Sequence, residues 1–247
     1  MRCIRVMKIM SVVIIMIITQ TILIIFITEG GMKIVTVANV KGGTGKTTIA
    51  LNLVVAAMRD DLKTLLVNSD VQLSATDIVR VRAEKNISPP IHATDMPTDR
   101  LHVDLKKKYD GYDMAVIDAG GRDSRSFRSA IVAADVLIIP ILPSGVDYWA
   151  SIDTIRIARE VQAEKLKIAK EPIAIFCLLN QQVRYSVMAA EILESLEKID
   201  APMLKTILYF RQAYRRSTSD GRSVLEWTDR QAAREIESLW EEVCVWL

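Results

Sequence analysis

Eight residues, Lys41-Gly42-Gly43-Thr44-Gly45-Lys46-Thr47-Thr48, have the types and spacing that bind a chain of phosphates. Three glycines let the backbone curl until successive N–H groups point inward at an anion. Lys46 supplies a cation for β- and γ-phosphates, and the Thr47 hydroxyl is a hard oxygen of the kind that ligates Mg²⁺. Lys41 adds a second cation at the start of the loop. An apolar, β-branched run at residues 34–38 precedes the loop, and an apolar helical pattern follows it. The helix start brings its positive dipole end to the same anion, so strand, glycine loop and helix together read as a site. The competing reading, a glycine turn that happens to carry lysines, does not account for those flanks.

Two carboxylates stand where a phosphoryl-transfer site needs them. Asp118 ends a buried apolar run, residues 113–118, and precedes Ala119-Gly120-Gly121. At the carboxyl edge of a sheet it would hold Mg²⁺ beside the phosphate loop. Its bland alternative is to cap the next helix. Gly120 and Gly121 would let the following segment move with a γ-phosphate. Asp70 follows another apolar run, residues 62–68, in Asn68-Ser69-Asp70-Val71-Gln72.

The elements that must position these groups alternate along the chain, which predicts an α/β fold with a parallel sheet and helices on both faces. Further buried strands are expected at 136–140 and 173–179, with a weaker one at 203–208. Helices are expected at 47–59, 98–108, 124–133, 146–163, 185–198 and 229–246. In the last, Ala232, Ile236, Leu239, Trp240, Val243 and Leu247 share one face. There is no internal repeat, and Ser88-Pro89-Pro90 is a loop too short to separate domains.

The chain has 247 residues, enough for one such domain with a sizeable core. Cys3, Cys177 and Cys244 lack disulfide or zinc spacing and fit a reducing compartment. His92 and His102 are isolated and fit solvated or structural roles. The net charge of +2 resides in residues 1–31, where Arg2, Arg5 and Lys8 oppose Glu29. The rest is neutral overall, so composition alone gives no nucleic-acid signal. Charge is nevertheless uneven: Arg211, Arg215, Arg216 and Arg222 form a basic stretch before an acidic last helix. That stretch fits either phosphate contacts to DNA or an ion-paired surface facing the last helix.

Residues 9–27 carry no charge and have the length of a transmembrane segment. Basic residues before such a span would hold the N-terminus in the cytoplasm and send the phosphate loop outside. That conflicts with the chemistry of the loop. Met32-Lys33 stands directly before the first strand, so residues 1–31 read as an over-extended translation start, with residues 32–247 as the domain. A membrane anchor and a cleaved signal are the alternatives.

The loop at 41–48, Asp70 with Gln72, and Asp118 together resemble the deviant Walker A P-loop ATPases of the ParA/MinD superfamily. Pro143-Ser144-Gly145-Val146-Asp147-Tyr148, Arg211-Gln212-Ala213-Tyr214 and Asp220-Gly221-Arg222-Ser223-Val224 are similar to the small plasmid-partition ParA (ParF-like) type. The resemblance implies Mg²⁺-dependent ATP hydrolysis by an ATP-bound sandwich homodimer. It implies that Gly42, Gly43, Thr44, Gly45, Lys46, Thr47 and Thr48 bind nucleotide, and that Lys41 crosses the dimer to the partner's nucleotide. Asp70 would then activate the attacking water, and Thr47 and Asp118 would hold the metal. Asn180, at a strand end, would read the adenine edge; a loop-capping asparagine is the alternative. The family motif commonly reads Asp-x-Asp-Pro-Gln, whereas this chain has Asn68 and Val71, which puts metal or water positioning in question. The implied partners are non-specific DNA and a centromere-binding ParB/ParG-like protein, in a cytoplasmic, nucleoid-associated setting. A MinD-like membrane-positioning role is the alternative; Glu235, Glu237, Glu241 and Glu242 on the last helix oppose it. A tethered tyrosine kinase lacks its tyrosine-rich tail here, and a synthetase would need a further substrate pocket.

Overall fold

A computed structural model describes residues 31–70, 74–168, 172–183 and 187–247. The hydrophobic leader at 1–30, together with Val71 and Gln72, lies outside these residues. Six strands form one sheet: β1 (Lys33–Val37), β2 (Thr64–Asn68), β3 (His92–Asp95), β4 (Met114–Asp118), β5 (Val136–Ile141) and β6 (Ala174–Leu179). Every pairing is parallel, in the order β3-β2-β4-β1-β5-β6. The helices are α1 (Lys46–Arg59), α2 (Ser74–Glu84), α3 (Leu101–Lys108), α4 (Arg125–Ala133), α5 (Gly145–Ile168), α6 (Val187–Lys198), α7 (Gln212–Ser219) and α8 (Arg230–Cys244).

The inner strands are apolar throughout because both faces of the sheet are covered. Val35, Val116 and Ile138 pack on one face with Ile49 and Val54 of α1 and Ile236, Leu239 and Val243 of α8. Ile34, Ile117 and Leu137 pack on the other with Leu101 and Leu105 of α3, Phe127 of α4, Ile155 of α5 and Leu196 of α6. Successive strand residues point to opposite faces, so one run feeds both cores. Among the described residues no helix is long and apolar enough to cross a membrane.

Caps set several boundaries. Ser124 accepts the Phe127 N–H at 3.1 Å, and Asp229 accepts the Gln231 and Ala232 N–H groups. A cross-tie secures the C-terminal third: the buried Arg82 guanidinium donates to Glu226, Pro89 O and Gly221 O. Gly221 fits this contact because it adopts φ +78 and a Cβ there would stand 2.6 Å from Arg82 N.

Three elements depart from the expectation. Helix α2, strand β3 and helix α7 are not among the expected elements: β3 is a half-exposed edge strand, and α7 is short and mostly polar. Conversely, residues 203–208 do not form a strand. They run beside β6 through separate bonds, Leu204 N–H to Cys177 O and Leu208 N–H to Leu179 O. Pro202 has no N–H to extend a ladder there.

Candidate phosphate-binding and metal site

The loop at 41–48 joins β1 to α1 at the carboxyl edge of the sheet. Gly43 and Gly45 adopt φ +80 and +91, which a side chain would resist. Gly45 precedes α1 without a side-chain cap, which leaves the first-turn N–H groups of the helix directed at the loop. Asn180, at the end of β6, donates from Nδ2 to Thr44 O at 2.7 Å and accepts the Gln181 N–H at Oδ1. A Cβ on Gly45 would stand 2.3 Å from that amide, so glycine is fitted to Asn180.

The loop's entry is held from α5. Asn39 Nδ2 donates to Pro140 O and Ser151 Oγ, while its Oδ1 accepts the Lys41 N–H at 2.9 Å. Thr154 Oγ1 accepts the Val40 N–H. Sequence reasoning missed Asn39, Ser151 and Thr154, because polar residues buried by tertiary packing leave no local pattern.

Lys46 is largely buried and donates from Nζ to Lys41 O at 2.9 Å. Burial pushes its ammonium below the usual lysine range, while Asp118 and Asp70 pull it back up. Thr47 Oγ1 donates to Asp118 Oδ2 at 2.6 Å. Asp118 is buried, and the loss of solvent raises its pKa to about 6 against the opposing Thr47 hydrogen bond and Lys46 charge. The adjoining cleft of ≈ 500 Å³ is lined by Gly43, Lys46, Thr47, Asp70, Asp118 and Arg122. Gly120 lets Asp70 approach, since a Cβ there would lie 3.2 Å from Asp70 Cγ. Arg122, which was not singled out in the sequence, follows Gly120 and Gly121 and lines the same cleft.

This arrangement fits a nucleoside polyphosphate with a hard divalent cation. Thr44 Oγ1 is buried with no hydrogen-bond partner among the described residues, an acceptor or donor in want of a ligand. The hydroxyl of Thr47 and the carboxylate of Asp118 are the oxygen donors that Mg²⁺ takes alongside substrate phosphates and water. Among the described residues no cluster of three or more His, Cys, Asp or Glu that could hold a metal occurs.

The basic stretch divides. Arg211 donates to Glu235 Oε1 through Nε and Nη2, at 2.9 and 2.7 Å, and to Gln231. Arg222 donates to Asp220. Arg215 lies over the Phe210 ring at 5.1 Å, and both Arg215 and Arg216 are exposed. A second cavity on the far side of Gly45 is lined by Asn180, Tyr209, Phe210, Arg211 and Arg215.

The chain is similar to several known proteins. Maintenance of carboxysome distribution protein A of Halothiobacillus neapolitanus is 32% identical over 213 residues, covering 84% of this chain and 94% of that protein. Protein ParA of Rhizobium radiobacter is 28% identical over 185 residues, covering 72% and 81%. An ATP-bound McdA variant from Cyanothece superposes with a TM-score of 0.70 at 17% identity, over 86% of this chain and 96% of that one. The profile of the CobQ/CobB/MinD/ParA nucleotide-binding domain matches residues 35–224, which carry the phosphate loop, both carboxylates and all but the first residues of the sheet; the chain belongs to that family, with the fold of its ParA/MinD-type ATPases.

Proposed function

We propose that the protein is an ATP-dependent positioning ATPase of the ParA type, whose ATP-bound homodimer rides on DNA and moves cargo through a partner protein that stimulates hydrolysis. The observation that carries this reading is the convergence of Lys46, Thr47, Asp70 and Asp118 on one cleft beside Lys41. The backbone N–H groups of residues 42–48 and Lys46 bind the β- and γ-phosphates. Thr47 and Asp118 would hold Mg²⁺, which would supply positive charge beside the transferring phosphoryl group. Asp70 accepts a proton from, or orients, the attacking water. Lys41 reaches the nucleotide of the second subunit, which makes dimerisation part of the switch. The second proton of the Asn180 amide remains for the adenine edge.

Arg215 and Arg216 are the DNA contacts that the arrangement favours. Arg211 and Arg222 spend their charge on Glu235 and Asp220. The cargo is either DNA carried through a centromere-binding protein of ParB/ParG type or a protein body, as the name of the Halothiobacillus relative suggests. A MinD-like membrane role finds less support, because the apolar face of α8 is buried in the core and its outer face is acidic. The test is retention on DNA and on anionic liposomes with ATP and with ADP, using a protein that starts at Met32. ATP-dependent DNA retention, lost in Lys46→Ala, supports the proposal; ATP-dependent liposome pelleting without DNA retention overturns it.

A further inference from the structure

Asn68 replaces the first carboxylate of the motif, and its side chain is fully buried. It sits at the end of β2 in register with Asp95 of β3 on one side and Asp118 of β4 on the other. Its Oδ1 accepts the Asp70 N–H at 3.0 Å. Its Nδ2 donates to Asp70 O at 3.0 Å and to Asp95 Oδ1 at 2.7 Å. Thr76 Oγ1 also donates to Asp95 Oδ1, at 3.2 Å. One amide thus clamps both backbone polar groups of Asp70 and pins them to the neighbouring strand.

An aspartate cannot do this. An ionised carboxylate accepts and never donates. At position 68, where the side chain is buried, it would face Asp70 O and Asp95 Oδ1, two further acceptors. We infer that Asn68, through Asp95, is the positioning residue for Asp70, and that the neutral amide is required here because Asp95 occupies the adjoining strand. This rests on the hydrolytic role of Asp70 proposed above and adds a residue pair to it.

The test uses the full chain with Mg²⁺ and ATP, measuring nucleotide affinity and single-turnover hydrolysis separately. Asn68→Asp is expected to slow hydrolysis about tenfold or more while ATP affinity stays within about threefold, as loss of a group acting only in the transition state does. In the double variant Asn68→Asp/Asp95→Asn the bond between the strands is restored with donor and acceptor exchanged, while Asp70 O stays without its donor, so a partial recovery, about threefold above the single variant, is expected. A readout independent of nucleotide is amide hydrogen exchange at Asp70, which is expected to quicken about tenfold in Asn68→Ala because the N–H loses its acceptor. Hydrolysis by Asn68→Asp at the unmodified rate, or a double variant no faster than the single one, overturns the inference while leaving the ATPase reading intact. An unmodified protein that binds no ATP overturns both.

Discussion

The Thr47 hydroxyl donates to Asp118 Oδ2 at 2.6 Å, joining the first turn of α1 to the end of β4. The two residues are 71 positions apart in sequence. Burying the carboxylate has a cost that can be measured, which the Thr47 hydrogen bond only partly offsets. Asp118 is buried at a site where its ionised form is poorly solvated, and its pKa rises from 3.8 to about 6.

A raised carboxylate pKa means that the folded protein holds the proton more tightly than the unfolded chain. The resulting stabilisation is present below pH 3.8 and is lost as pH rises through about 6. In metal-free protein, Asp118→Asn is therefore expected to be more stable than the unmodified chain at pH 8, by up to about 3 kcal/mol. The gap should close toward pH 4, and the variant should not hydrolyse ATP. Thermal unfolding in chelator across that range checks the sign; a gap independent of pH would contradict it.

Lys46→Ala is expected to abolish ATP binding, because it removes the buried cation of the loop. Asp70→Ala is expected to bind ATP and accumulate as a dimer that does not turn over. Size-exclusion chromatography with light scattering, with ATP and with ADP, separates the two phenotypes. Normal turnover by Asp70→Ala would remove it from the water-handling role.

Arg211 and Arg216 are expected to part company although both belong to the same basic stretch. The Arg211 and Glu235 side chains are 17% and 12% exposed, and Glu235 also takes the Tyr209 N–H and the Tyr214 hydroxyl. Removing Arg211 leaves a buried carboxylate short of its counter-ion, so Arg211→Ala should lose about 3 kcal/mol in urea unfolding. Arg216 is exposed, and Arg216→Ala should change stability by less than about 0.5 kcal/mol. It should instead lower the salt dependence of DNA binding by about one unit of slope.

Gly45→Ala is expected to weaken nucleotide binding by about a hundredfold, since the added methyl would meet Asn180 Nδ2 and the backbone sits at φ +91. Asn180→Ala removes only the first of these conflicts. Gly45→Ala should therefore cost less binding in an Asn180→Ala background than alone, as measured by a double-mutant cycle in titration calorimetry. Additive effects would separate the two residues.

The site was legible in the sequence wherever chemistry is written locally. The loop at 41–48 announces its backbone through glycine, and Asp118 announces itself as a charge that ends an apolar run. The face of α8 shows in its spacing, and Ala232, Ile236, Leu239 and Val243 are fully buried. The polar elements β3 and α7 were not legible, because half-exposed strands and short polar helices owe their form to neighbours rather than to their own periodicity.

By itself the sequence determined the α/β architecture, the phosphate loop and the two carboxylates at strand ends, because each rests on residue type and short-range spacing. Only the tertiary structure decided what the ambiguous residues do. Arg211 lies in a basic stretch, yet its charge is taken by Glu235 on another helix. Asn68 reads in sequence as a missing carboxylate. Strand register places it against Asp95 and gives it both faces of an amide to hold Asp70. A side chain's partners are set by which strands and helices lie side by side, and that information is spread over residues far apart in the chain.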